Sequence, residues 1–491
     1  MRISNVAAAI ALLSAPTSIS AFAPSKHNPR FLSRAINTKT FTPLSAVIDV
    51  SEYAPRNVPT FEEWAVNNGA QKMEGLEFYT EDELDWQAYT TVDIPAGTTI
   101  LYVPSTMVLS SPYIEEELKA MSDGGVAAAA DQLNRIGGGI NAPEFYLFVK
   151  MLVEYEQEES SPFHAYFDGM PRLYFNAVSM TDFCYECLPP LVFSLSRAER
   201  VKFDYLCQVL PKVDIISDRL KQDKDVLKWA FNAVLTRSIE AKDGQGKGIA
   251  MVPMADMFNH GTDTEVEVAF DEEGNCMVYT TTDVAANAPL RMSYASATNP
   301  SYLFARYGFM DDTSLASFCN IMDIKKNPDN EEMGLDFTKM LFYHDTGDIS
   351  EEVFDVVLYD KVLTNVKYHP DVETYRNQLY DAHMTGDVAT KQAIHDQFRF
   401  ETLSEIKKHV DTFLNSLENL AKKSEGKSLE EHPRLPLILA HNEFVKQPFL
   451  SVKWNLDALV EQYEGVQEEQ WGQEEEWTTE EEWATEEQWV A

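Results

Sequence analysis

The sequence predicts an α+β chain: a β-containing body interrupted by a helical insert, then an all-helical C-terminal lobe, then a disordered acidic tail. Three observations predict it. Strand-like stretches stand on both sides of a long helical region, and a second helical stretch beyond about residue 330 carries one continuous apolar face. The last thirty residues give up aliphatic side chains for Glu, Gln, Thr and Trp. A chain of 491 residues exceeds what one core holds and calls for two or three domains.

Taken in order, residues 1–48 contain no Asp or Glu and five basic residues, Arg2, Lys26, Arg30, Arg34 and Lys39. Arg2, the apolar run Val6–Leu13 and the small residues Ser18–Ala21 have the layout of a secretory signal, followed by a Ser/Thr-rich basic stretch with transit-peptide composition. The junction Ala21-Phe22-Ala23-Pro24 resembles that of two-part presequences in algae with secondary plastids, which implies a plastid stroma (chloroplast) address. An ordinary secreted protein is the other reading. Five cysteines, few and odd in number, suit a reducing interior better than a disulfide framework.

Phe61–Gly69 (FEEWAVNNG) reads as a helix closed by glycine, and 92–103 as a turn followed by a strand. In Glu144–Gln157 the residues Phe145, Phe148, Leu152 and Tyr155 fall at helical spacing. Ser196-Arg-Ala-Glu199 has the form of a capping box opening a helix Arg197–Leu210. Glu265–Phe270 and Cys276–Thr280 flank a polar turn and predict a hairpin. Across Thr402–Lys422 the positions Leu403, Ile406, Val410, Phe413, Leu417 and Leu420 mark one helix face, the signature of a core stripe.

Trp471, Trp477, Trp483 and Trp489 recur every six residues in an acidic background. On an α-helix that spacing advances by about 240° and scatters them around the axis. With so few aliphatics and so much charge, 465–491 is expected to be disordered, as a docking tail for a partner or as repeat drift.

The net charge of -39 argues against a phosphate-binding surface and so against nucleic acid. No stretch approaches the roughly 20 apolar residues of a membrane helix. Cys184-X-X-Cys187 lacks the second pair a zinc site needs, and no metal is expected. No Gly-X-Ser-X-Gly elbow supports a hydrolase.

The most informative region is Trp229–Asp311. It holds WAFNAVLTRSI, the loop Val252–His260 (VPMADMFNH), the hairpin, and Tyr294–Phe309 with its Tyr-Gly-Phe. In order and spacing these blocks resemble the C-terminal half of the SET fold in the RuBisCO large-subunit lysine methyltransferase-like family. Phe61–Gly69, Leu101–Pro104 and Ser160–Pro171 (SSPFHAYFDGMP) extend the resemblance to about residues 58–450. It implies a SET domain over 58–312 with its insert at about 105–235 and a helical substrate-binding domain over 330–450, behind the targeting presequence read over 1–48.

What the family implies is methyl transfer from S-adenosyl-L-methionine to a protein nitrogen, most simply a lysine. Tyr307 becomes the catalytic tyrosine, Tyr294 the lining of the substrate channel, and Asp256 the support of the Asn-His loop. Arg237, Asn259, His260 and Gln87 become cofactor-binding positions. RuBisCO large subunit and fructose-bisphosphate aldolase are the family-level substrate candidates for a monomeric enzyme. A histidine target, or a SET fold without catalysis that binds a protein partner, are the alternatives. The chain also departs from the family pattern. The glycine-rich cofactor turn is replaced by Asp85 and Gln87, a Gly-Glu turn by Asn287-Ala288-Pro289-Leu290, and the glycine after Tyr294 by Ala295.

Overall fold

The computed structural model describes residues 47–243, 246–296, 298–319, 321 and 323–486. Residues 1–46, which hold nearly all of the presequence expected over 1–48, lie outside them, as do the side chains of 464–491, where the Trp repeat falls.

The first helix, Val58–Asn67, starts with a proline in its first turn and buries Val58, Phe61 and Ala65. The chain then passes through a hairpin, Leu76–Tyr79 with Gln87–Thr90, to the strand Thr99–Val103. That strand is completed from far along the chain. In a four-stranded antiparallel sheet it lies between Gln71–Lys72 and Cys276–Thr280, with Val266–Phe270 at the far edge. The hairpin expected at 265–280 thus forms, with Cys276 opposite Phe270 and Thr280 opposite Val266. Its turn is tied by Asp271 Oδ1, which accepts from the backbone N–H groups of Glu273 and Asn275.

Between these strand partners the chain runs mainly through helices, chiefly Ser111–Met121, Gly125–Arg135, Ala142–Glu156, Pro190–Val209 and Lys224–Arg237, and adds a three-stranded sheet in which Gly246–Met251 lies between Leu109–Ser110 and Ser238–Asp243. The spacing over Glu144–Gln157 predicts a helix with one apolar face, and the helix forms as Ala142–Glu156. Phe145 through Glu154 are all buried rather than one face of them, because other helices cover this helix on several sides. Two charges had to go inside with it, and they pair: Lys150 Nζ lies 2.6 Å from Glu154 Oε1. The capping-box reading of Ser196–Glu199 is corrected. The helix starts earlier, at Pro190, leaving Ser196 and Glu199 buried in its interior. There the Ser196 carbonyl accepts from the Tyr185 hydroxyl, and Glu199 pairs with Lys202 and Arg306.

Beyond the body, a two-stranded ribbon (Ala316–Phe318 with Leu341–Tyr343) leads into the helical lobe. Its main helix, Arg399–Ser424, buries Leu403, Ile406, Val410, Phe413 and Leu417 against the last helix, Leu435–Glu486. A separate apolar cluster joins lobe to body, with Leu435 and Ile438 packed on Ala177, Cys184, Val192 and Phe304. All five cysteines are free thiols, four of them buried. Among the described residues no helix is long and apolar enough to cross a membrane.

Candidate active site

The loop Val252–His260 carries unusual backbone at its centre. Met254 holds φ +69°, a left-handed value that a long side chain rarely takes, and it is fully buried. Asn259–His260 then pairs in parallel with Arg291–Met292, which brings the loop beside Tyr294.

The His260 ring is committed on both sides. Its Nδ1 accepts the Tyr294 backbone N–H at 3.1 Å, so Nε2 carries the proton and donates to Asp311 Oδ2 at 3.3 Å. Asp311 also accepts from the hydroxyls of Thr262 and Thr313, both at 2.7 Å. Burial works against its charge, yet the bonds from His260, Thr313 and Thr262 hold the carboxyl well below the usual carboxylate range. The Asn259 side chain is likewise engaged, its Nδ2 donating to the Trp86 carbonyl at 3.2 Å. The His260 ring has no nitrogen to spare for a ligand, while Asn259 keeps its Oδ1 and one N–H.

Tyr307 ends the helix Pro300–Tyr307, and Gly308 turns the chain away at φ +77°. A Cβ on Gly308 would sit 2.4 Å from the Asn176 backbone nitrogen, so only glycine fits. This turn sets Tyr307 4.9 Å from the Tyr294 ring and 6.0 Å from Phe309. The Tyr294 hydroxyl donates to the Phe258 carbonyl at 2.7 Å, which fixes that ring. Burial raises both phenols, Tyr294 to about 12, so both are protonated at neutral pH. Tyr307, Tyr294, Arg237, Asp256, Phe258 and Tyr302 share a cavity of about 600 Å³.

Arg237, at the end of the helix Lys224–Arg237, donates from Nη1 to the Asp256 carbonyl at 2.5 Å, while its buried Nε has no partner. Asp256 takes the Tyr166 hydroxyl on Oδ2 at 3.1 Å and leaves buried Oδ1 without one. Burial pushes the Asp256 carboxyl up to about 6, against the opposing pull of Arg237, the Tyr166 hydrogen bond and Arg56. Tyr174, whose hydroxyl is a third buried and unpartnered group, completes the cluster. Arg56, Tyr166 and Tyr174 were not singled out in the sequence. Ser160–Pro171 had marked the segment of Tyr166, but nothing local marks Arg56. Gln87 stands apart, exposed at the start of its strand and opposite Tyr79.

These residues suit a methyl donor with a carboxylate and a sulfonium. The unused Nε–H of buried Arg237 fits an anionic group, and the Tyr294–Tyr307–Phe309 rings offer faces to a cation.

Comparisons with known proteins place this geometry. Residues 85–295 match the SET domain family. An actin-histidine N-methyltransferase of Mus musculus is 23% identical over 270 residues, covering 52% of this chain and 43% of that protein. SET domain-containing protein 4 of Artemia parthenogenetica is 26% identical over 200 residues, 36% of this chain and 50% of that one. The chain thus spans half or less of the length of these relatives. The SET domain of LSMT bound to lysine and AdoHcy superposes with a TM-score of 0.54 at 15% identity, over 82% of this chain and 91% of that one. Rubisco LSMT bound to AdoMet gives 0.52 at 14%, over 83% and 93%. With the sheet closed across a helical insert, the Asn-His loop beside two facing tyrosines, and a helical lobe behind them, the chain has the fold of the RuBisCO large-subunit methyltransferases, with the SET domain match lying over residues 85–295.

Proposed function

We propose that the protein is an S-adenosylmethionine-dependent protein N-methyltransferase that modifies a lysine side chain of a plastid protein. The observation that carries this reading is the Tyr294–Tyr307 pair facing a cavity that also holds Arg237 with an uncommitted N–H. Arg237 would take the carboxylate of S-adenosylmethionine, and backbone groups of Asn259 and His260 its polar edges. Bound there, the cofactor supplies an electrophilic methyl group for in-line displacement. The chain's own part is positioning. The Tyr307 hydroxyl oxygen would accept an N–H of the neutral amine, which leaves its lone pair free and aimed at the methyl group, and the fixed Tyr294 ring narrows the approach. The lobe helices behind the tyrosine helix offer the surface for a folded protein substrate.

A histidine target is the second reading, favoured by the actin-histidine N-methyltransferases among the sequence relatives. The test is a calorimetric titration with S-adenosylmethionine, then labelled transfer into stromal extract with peptide mapping of the modified residue. Binding with label on lysine is expected; label on histidine selects the second reading. No binding at millimolar cofactor overturns both and leaves a protein-binding SET fold. Tyr307→Phe should lower transfer about 100-fold while the cofactor dissociation constant stays within about two-fold.

A further inference from the structure

The helix that ends in Tyr307 is gripped by the last helix of the lobe at both of its ends, by two different means. At its start the contact is packing. Leu435 and Ile438 share an apolar cluster with Phe304, and the buried His441 ring lies 4.4 Å from Phe304, with Nε2 3.4 Å from Ser301 Oγ. At its end the contact is polar, and it runs through a side chain that lies outside the cavity.

Arg434, one residue before the last helix begins at Leu435, is 3% exposed and spends its guanidinium fork on two partners. Nε and Nη2 donate to the Tyr174 carbonyl at 3.0 and 2.8 Å. Nη1 and Nη2 donate to the two Glu52 carboxylate oxygens at 3.0 and 2.6 Å. The guanidinium carbon also stands 5.3 Å from the centre of the Phe175 ring. Tyr174-Phe175-Asn176 is thus fastened to the lobe on one side. On the other side it meets the tyrosine turn. A Cβ on Gly308 would come 2.4 Å from the Asn176 nitrogen and 2.5 Å from the Phe175 carbonyl carbon, and Asn176 Nδ2 donates to the Arg306 carbonyl at 3.1 Å. Arg306 and Gly308 are the residues before and after Tyr307. In so close-packed an interior, a shift of the Tyr174–Asn176 backbone has to move both of them. A lysine at 434 would keep a charge for Glu52 but has no planar fork to hold a carbonyl and a carboxylate at once.

We infer that Arg434 is a positioning residue for methyl transfer: through Tyr174–Asn176 it registers the lobe against the turn that aims the Tyr307 hydroxyl. It touches neither the cofactor nor the reacting nitrogen. The inference rests on the methyltransferase reading above and can fail without it. Labelled transfer into stromal extract at saturating S-adenosylmethionine is measured for the full chain, Arg434→Lys, Tyr307→Phe and the double variant, all well below their melting temperatures. Arg434→Lys should transfer about ten-fold more slowly, with its calorimetric dissociation constant for S-adenosylmethionine within two-fold of native. In the Tyr307→Phe background the same substitution should cost less than two-fold, because the group it positions is gone. A ten-fold loss in both backgrounds would overturn the inference and leave Arg434 a stabilising residue alone; so would an unchanged rate for Arg434→Lys. Where Arg434→Lys does not fold, Asn176→Ala at the other end of the same line takes its place. Non-additivity with Tyr307→Phe then supports the inference and additive losses overturn it. A native chain that neither binds cofactor nor transfers label ends the methyltransferase reading and this inference with it; native transfer with additive losses ends this inference alone.

Discussion

The two sides of the site are built on opposite principles. On the His260 side nearly every polar atom is spoken for: Asp311 takes the His260 ring and two threonine hydroxyls, and the Tyr294 hydroxyl and backbone N–H both have acceptors. On the Arg56–Arg237 side three buried polar atoms have none, Arg237 Nε, Asp256 Oδ1 and Tyr174 Oη. Buried polar groups left without partners cost about 1–3 kcal/mol each, so a fold retains them where something else completes them. The saturated side is a frame, and the unsaturated side is a receptor. Stability should therefore be concentrated in the first and ligand response in the second.

Gly308→Ala is the hardest blow to the frame. A methyl group 2.4 Å from the Asn176 nitrogen, on a backbone at φ +77°, should cost about 4 kcal/mol and lower the melting temperature steeply. A near-native melting curve would break the contrast, because the Tyr307 turn would then be free to move. Asp311→Asn comes next, at about 2–3 kcal/mol near neutral pH. The folded-state pKa of Asp311 is lowered, so its stabilisation is present above the unfolded value of about 3.9 and fades as pH falls below it. Denaturant midpoints of wild type and variant should converge toward pH 2; a constant gap would assign the effect to shape instead.

Asp256→Asn sharpens the comparison from the other side. The folded pKa of Asp256 is raised to about 6, so between about pH 4 and pH 6 the native state holds a proton that the unfolded chain has released. Wild-type stability must fall as pH rises through that window, by about 2 kcal/mol, and the variant should lack that slope. Parallel pH profiles would show that Asp256 is as settled as Asp311. Added S-adenosylmethionine should raise the melting temperature of the wild type by mass action and that of the Arg237→Ala variant far less, since the receptor side is where ligand energy enters.

Much of this was legible from the residues, and the misses share a cause. The hairpin at 265–280 and the stripe Leu403–Leu417 announce themselves because period and burial coincide in one local segment. Ser196–Glu199 misled because its pattern occurs inside a helix whose true start is set by Pro190, and whose polar residues have distant tertiary partners. The ribbon Ala316–Phe318 with Leu341–Tyr343 is too short to show a period. In the site, Tyr294, His260 and Tyr307 stand close in sequence and could be read as a set. Arg56 could not: its acceptor Gly169 is 113 residues away and its contact Met257 is 201 away. The departure at Asn287 proved readable in hindsight, since asparagine tolerates the φ +65° that glycine usually supplies.

The sheet closed across the insert also fixes an order of events in folding. Ser105 and Asn275, joined by a 2.9 Å hydrogen bond beside the central strands, are 170 residues apart. Emerging from the ribosome at about 5–20 residues per second, the strand Thr99–Val103 waits on the order of ten seconds for Cys276–Thr280, with its hydrogen-bonding edge unpaired. Such non-local closure is slow and exposed to aggregation. The helical insert, rich in local contacts, has that interval in which to fold first and bring the two strand ends together.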